Sequence, residues 1–163
     1  MQFYKSDNMK TNTGLQVGNL LYNHRRWACP ILEIGADRVT VIARHYGEES
    51  FLLEDMREID LSEDLIPKLG FEKEHQENCH FDHFWMHTQF EEQDEEEKEE
   101  EEASLLYKIK LFQSMYNGYW AEIYNHVTGA RFFGQVKFLH QLQNACDQCE
   151  VPFEIKQEII DKL

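Results

Sequence analysis

The chain of 163 residues has no run of apolar residues that approaches the ~18 needed for a membrane-spanning helix. Its first ten residues, MQFYKSDNMK, lack the apolar segment of a secretory signal peptide. We therefore expect a cytoplasmic protein without membrane contact. In that compartment its four cysteines are expected to be reduced thiols rather than a disulfide framework.

The sequence also lacks the common motifs of enzyme chemistry. It contains no glycine-rich phosphate loop, no Gly-x-Ser-x-Gly turn and no His-Glu-x-x-His zinc motif. We therefore expect a non-enzymatic binding or accessory protein that needs no cofactor and acts through protein contacts. The alternatives left open are a nucleic-acid-binding module, an acidic inhibitor that imitates nucleic acid, and a hydrolase or metal protein without a known motif.

Positive charge is scarce, and negative charge is concentrated in one segment. The chain has 16 Lys and Arg against 31 Asp and Glu, a net charge of -15. Residues 91–102, EEQDEEEKEEEE, hold ten acids and one lysine, so they carry -9 and leave -6 for the rest. This segment is too charged to pack against a core. We interpret it as an insertion between two strands, and it is the basis of the nucleic-acid-mimic alternative.

The pattern of apolar residues predicts an α+β fold. β-branched and aromatic runs broken by glycine-containing turns indicate short strands, first in a barrel-like half and then in an antiparallel sheet. Ser62 as a helix N-cap and Gly70 as a left-handed terminator indicate a short helix between them. The expected organisation is a single domain of residues 1–163, with a β-rich half at 14–60, a short helix at 61–70 and a sheet-plus-helix half at 71–163.

The stretch VKFLHQLQNACDQC, residues 136–149, predicts an amphipathic helix, followed by a small helix from about Phe153. Its apolar stripe includes Cys146 and Cys149, which we expect to be core residues, because a redox pair normally lies at a helix N-terminus. The opposite side carries a polar row that could contact a partner. This row consists of His140, Asn144 and Asp147.

Three ordered patches support a resemblance to a known group of proteins. The patches are LQVGNLLY, IDLSEDLIPKLGF and KFLHQLQNACDQC. Together they resemble a family of small uncharacterised proteins of Bacteroidetes and their phages that end in a His-x-Leu-Gln-Asn helix. The resemblance implies a phage- or mobile-element-encoded accessory protein, but it supplies no catalytic residue. Ser62, Pro67 and the acidic insertion depart from the family pattern.

Two further clusters are candidate sites. A histidine-rich segment offers Cys79, His83 and His87 as weak candidates for metal ligands, but on a strand this row would span ~26 Å at ~3.3 Å per residue, too far for one ion. Metal binding there requires a helical segment.

The β-rich half contains the second cluster, which is basic and aromatic. Arginines beside an aromatic ring are typical of a nucleic-acid surface. The candidate residues are Arg25, Arg26, Trp27 and Arg44. Neither the ligand nor the oligomeric state follows from the sequence.

Overall fold

The structure is a computed structural model that describes residues 14–75, 83–90, 104–114 and 118–163. These residues form two antiparallel five-stranded sheets and a few short helices, so the α+β prediction fits broadly for a molecule that is mostly β. The first sheet has the order β4-β3-β2-β1-β5. Its strands are β1 (Leu20–Tyr22), β2 (Ala28–Ile34), β3 (Arg38–Ala43), β4 (Gly47–Leu52) and β5 (Arg57–Glu58).

The first sheet is open and not a closed barrel, which corrects the barrel-like description. Strand β4 is at one edge and the two-residue β5 is at the other. A register shift between Ile31 and Glu33 marks a bulge in β2, and bulges increase local twist. The sheet therefore encloses a small core on one side. That core contains Leu21, Cys29, Ile31, Val39, Val41, Ala43, Leu53 and Met56.

The link between the sheets is a short helical turn. Ile66–Leu69 form a 3-10 helix, and the Ser62 hydroxyl accepts a hydrogen bond from the backbone N–H of Leu65 at 3.1 Å. Gly70 ends the turn with a φ of 96°, a conformation that glycine adopts without strain. The predicted helix within 61–70 is therefore present, but it is tighter and shorter than an α-helix.

The second sheet has the order β10-β9-β8-β7-β6, and the predicted antiparallel pairing is confirmed. Phe90 pairs with Leu105, so the acidic residues 91–102 connect two adjacent strands. The acidic run itself lies outside the described residues. The strands are β6 (Glu72–His75), β7 (His83–Phe90), β8 (Leu105–Gln113), β9 (Tyr119–Asn125) and β10 (Arg131–Val136).

The main core lies between one side of the second sheet, helix α1 (Leu139–Gln148) and the edge of the first sheet. Strand β9 alternates buried and half-buried residues, as a strand with one side on the core must, because its side chains point to opposite faces in turn. A shorter helix, α2 (Gln157–Ile160), follows the predicted start at Phe153 by four residues. Within the described parts of the chain, no helix has the length and apolarity to cross a membrane.

Candidate functional site

His140 is buried, although the sequence predicts it on the solvated side of α1. Its side chain is 0% exposed, and neither ring nitrogen has a hydrogen-bond partner among the described residues. The cause is a long-range pairing. Asp60 bridges Phe138 immediately before the helix, which brings the link segment beside the first turn, and the Phe138 ring stacks on the imidazole at 5.8 Å. The predicted exposure of His140 is wrong, and its partner-binding role loses its basis.

Asn144, the second member of the predicted row, holds α1 to the first sheet. Its Oδ1 accepts a hydrogen bond from Asn19 Nδ2 at 2.8 Å, and its Nδ2 donates to the carbonyl of Gly14. The neighbouring Gln143 Oε1 accepts from the backbone N–H of Leu20 at 3.0 Å. These bonds satisfy polar groups that would otherwise be left without partners as the helix packs against β1.

Only Asp147 of the three remains exposed at the surface. Alanine at positions 140 and 144 would therefore remove structural contacts, and such a variant would report on folding rather than on partner binding. On the polar side of α1, Gln143 and Asn144 therefore link the helix to the first sheet. A single sequence does not reveal this, because Asn19 and Asn144 are 125 residues apart.

Cys146 and Cys149 are both 1% exposed and belong to the main core, which confirms the predicted apolar stripe. Burial raises the pKa of both thiols, and for Cys146 the neighbouring Cys149 and Asp147 raise it further. Burial likewise raises the pKa of Cys29 to about 11. A raised pKa disfavours the thiolate, which is the reactive form. The environment of these cysteines therefore favours packing over redox chemistry.

The arginines of the first sheet make contacts within the chain. Arg25 is 3.1 Å from a Glu49 carboxylate oxygen and lies over the rings of Tyr46 and Trp27, at 4.3 and 5.4 Å from their centroids. Arg44 donates to the backbone carbonyl of Asp161 at 2.9 Å. Arg44 Nε also lies 3.9 Å from a carboxylate oxygen of Asp161, so a carboxylate partly neutralises each of the two guanidinium groups.

Arg26 lies in the tight β1–β2 turn, with a φ of 61°. The candidate residues thus lie in two separate turns, one before β2 and one after β3, and Arg44 in the second turn is bonded to Asp161. It does not form a continuous basic groove of the kind that nucleic acid requires.

Of the three weak metal candidates, the structure describes the side chain of His87 alone. His87 packs against the rings of Phe71 and Phe153, with centroid distances of 5.4 and 6.1 Å, and burial lowers its pKa. Cys79 and the side chain of His83 lie outside the described residues. In the part of the chain that the structure describes, no group of three or more His, Cys, Asp or Glu could hold a metal ion.

The side of the second sheet that faces away from the core is rich in rings and charges. Strand register aligns Lys110 with Glu122 and Phe133, and aligns Lys108 with Tyr124 and Arg131. The opposite side of the same strands contributes buried residues to the core. We call this surface the outer aromatic face, formed by Lys108, Lys110, Trp120, Glu122, Tyr124, Arg131 and Phe133.

The rings of the outer aromatic face are ordered against one another. Trp120 and Phe133 are nearly parallel, with an interplanar angle of 17° and centroids 5.4 Å apart. The Arg131 guanidinium lies 4.5 Å from the centroid of the Tyr124 ring, within cation–π distance. Phe133 is nevertheless 70% exposed. Because its ring contacts Trp120, Phe133 belongs to a contiguous aromatic patch, and exposed patches of this kind mark interaction surfaces.

A cleft of about 510 Å³ opens on this face. Its lining includes two cations and three rings. The cations are Lys108 and Arg131, and the rings are those of Tyr124, His126 and Phe133. The His126 ring packs edge-on against Tyr124 at 4.0 Å. The cleft can hold a ligand that combines an apolar or aromatic body with negative charge.

Sequence reasoning did not identify this surface. The alternation of Trp120, Glu122 and Tyr124 on β9 is visible in the sequence, but the residues that complete the face come from β8 and β10. Strand register decides that Arg131 lies beside Tyr124, and register depends on long-range pairing. The available signal was that all the charges of β8–β10, namely Lys108, Lys110, Glu122 and Arg131, fall on one side of their strands.

Comparison with protein-family models, with curated proteins and with solved structures found no match to this chain. The resemblance to small proteins of Bacteroidetes and their phages therefore stays a prediction.

Proposed function

We propose that this protein is a non-enzymatic binding module and that the outer aromatic face is its ligand surface. The observation that carries the proposal is the exposure of Phe133 beside Trp120 on a sheet whose other side forms the core. Burying one aromatic side chain in an interface contributes about 1.5 to 3 kcal/mol, so such a surface favours a partner. The acidic chain also presents its cations Lys108 and Arg131 together in the same cleft.

The groups with displaced pKa values lie away from the cleft. For each described group with a resolved shift, burial is the largest cause. None of these residues lines the cleft of the outer aromatic face.

The earlier alternatives are less well supported by the geometry. The first sheet is open, and Arg25 and Arg44 are engaged with acidic residues or backbone of the same chain. The nucleic-acid-mimic hypothesis depends on residues 91–102, which lie outside the described residues, so it stays a prediction. Binding by mimicry should weaken steeply as salt rises.

Site-specific photo-crosslinking tests the proposal. A benzoylphenylalanine at position 133 retains an aromatic ring on the face, and the same residue at position 42 is a matched control, because Ile42 is also exposed on a strand. In the cells that naturally produce the chain, we expect a discrete adduct from position 133 and none from position 42. Equal yields of the same adducts from both positions, or no adduct from position 133, would contradict the proposal.

A further inference from the structure

We infer that the ligand of the outer aromatic face is a single-stranded nucleic acid. This inference rests on the proposed function and names its partner class. Proteins that bind single strands combine aromatic side chains, on which bases stack, with cations that follow the phosphates. Both features occur here on one side of one sheet, within three adjacent strands.

The stacking surface is the pair Trp120 and Phe133. Their rings are stacked, with an interplanar angle of 17° and centroids 5.4 Å apart, so they form one platform. Its open ring is that of Phe133, which is 70% exposed, and a base can approach this ring from solvent. Tyr124 extends the aromatic surface along β9 toward the cleft. Every base has a flat π surface, so such a platform is tolerant of sequence.

The phosphate-binding groups are Lys108 and Arg131, which lie on either side of Tyr124 in one register row. Since neighbouring strands are about 4.8 Å apart, the two backbones are about 10 Å apart. Among the described residues neither cation is in an ion pair, and the Arg131 guanidinium is held over the Tyr124 ring at 4.5 Å.

The local charge differs in sign from that of the chain. Strands β8–β10 carry three cations, Lys108, Lys110 and Arg131, against one carboxylate, Glu122, in a protein with a net charge of -15. Glu122 lies between Lys110 and Phe133 in the next register row and also lines the cleft. A carboxylate accepts hydrogen bonds from exocyclic amino groups, such as the N4 amine of cytosine.

An acidic protein is the competing ligand, because it also offers negative charge. The open, nearly parallel ring pair favours nucleic acid, since a base can stack flat on it while its phosphate reaches the adjacent row of cations. The carboxylates of an acidic peptide would match the cations, but they offer no ring to stack on Phe133. The crosslinking and binding experiments together separate these two ligand classes.

The test is fluorescence anisotropy of labelled 15-nucleotide oligo(dC), oligo(dT) and oligo(rC), with a 15-base-pair duplex, titrated with the full chain at low salt. We expect the single strands to bind, the duplex to bind at least tenfold more weakly, and affinity to fall as salt rises. We expect Phe133→Ser to weaken single-strand binding by about 5- to 150-fold, the range for losing one stacked base, while Ile42→Ser leaves it unchanged.

A charge reversal gives the second, independent comparison. Arg131→Glu should weaken binding at least tenfold and reduce the salt dependence. Arg38→Glu, the control, reverses an exposed arginine on the first sheet and should have an effect below threefold. No binding of any single strand at 100 μM protein, or equal effects of the test and control variants, would overturn the inference.

The outcomes also separate this inference from the proposed function. A crosslinked adduct at position 133 that nuclease removes supports both. An adduct that resists nuclease and contains a protein keeps the proposed function but overturns the nucleic-acid inference. The absence of both an adduct and oligonucleotide binding overturns both.

Discussion

Acidification should destabilise this protein through His140, and replacing that residue with leucine should remove the effect. The imidazole is 0% exposed, and neither nitrogen has a partner among the described residues. Burial therefore lowers its pKa in the folded protein. The neutral ring is favoured in the folded state, whereas the unfolded chain binds a proton with the usual histidine pKa near 6.5.

The sign and size of the effect follow from proton linkage. Because the folded-state pKa is lowered, the stabilisation is fully present above pH ~6.5 and is lost as the pH falls below it toward the folded-state pKa. In that window one histidine changes the unfolding free energy by at most ~1.4 kcal/mol per pH unit. Between pH 6.5 and 5, the unfolding free energy of His140→Leu should thus rise relative to that of the wild type by up to about 2 kcal/mol.

The same substitution also removes two unpaired polar atoms from the core. A buried polar group without a partner costs about 1 to 3 kcal/mol, so His140→Leu should be at least as stable as wild type at pH 7.5. His87→Leu is the comparison, because His87 also has a pKa lowered by burial but is only half-buried. Its effect on the pH dependence should be smaller.

Urea unfolding at pH 7.5, 6.5, 5.5 and 5.0 measures these differences. Subtracting wild type from variant cancels the titration of the many carboxylates that both proteins share. Parallel stability curves for wild type and His140→Leu would refute the reasoning. A loss above about 2 kcal/mol at pH 7.5 would also refute it, because it would indicate that the ring makes stabilising polar contacts.

Three further predictions concern stability. Leu142→Ala should lower the unfolding free energy by about 2 to 5 kcal/mol in urea, because Leu142 is 0% exposed in the main core. Asn144→Ala should lower the unfolding free energy by about 1 to 3 kcal/mol, because it leaves the Asn19 amide without its partner. Asp147→Ala, one turn away and exposed, should change stability by less than about 0.5 kcal/mol. Equal effects of the two variants would contradict the role of Asn144 in linking α1 to the first sheet. Deletion of residues 92–101 should leave a cooperative thermal melt, because four residues remain between Phe90 and Leu105 and hairpin loops of that length are common. The Tm should be equal or higher at low salt, where repulsion between the deleted charges is screened least. Loss of the cooperative transition would show that the acidic run is integral to the fold.

The features predicted from sequence are those with a local period. The alternation around Ala121 on β9 and the stripe that includes Leu142 and Cys146 both repeat over a few residues, so one sequence shows them. Local turn chemistry was also readable, since Gly70 ends the link with a positive φ. Where short-range chemistry decides the conformation, the sequence was sufficient.

The features that sequence reasoning missed depend on distant partners. His140 is on the polar side of the helical period, but the pairing of Asp60 with Phe138 places another chain segment beside the first helical turn. α2 begins at Gln157 rather than Phe153, whose ring instead packs edge-on against Phe71 at 6.0 Å. Neither contact has a local signature.

The outer aromatic face illustrates the same limit for function. Its residues come from three strands, and their common surface arises only from the register between them. The exposed row that was predicted on the helix instead stabilises the fold through Asn144. The sequence therefore predicts a candidate site on a helix, whereas the long-range strand pairing favours one on a sheet.

Copurification tests most directly whether the outer aromatic face holds the ligand. What copurifies with Phe133→Ser is compared with what copurifies with Ile42→Ser and with wild type, from the cells that naturally produce the chain. Protein is quantified by mass spectrometry and nucleic acid by phosphorus content. We expect Phe133→Ser to lose the ligand while retaining wild-type stability within about 0.5 kcal/mol, and Ile42→Ser to keep it. Full retention of the ligand by a folded Phe133→Ser variant would show that the ligand binds elsewhere.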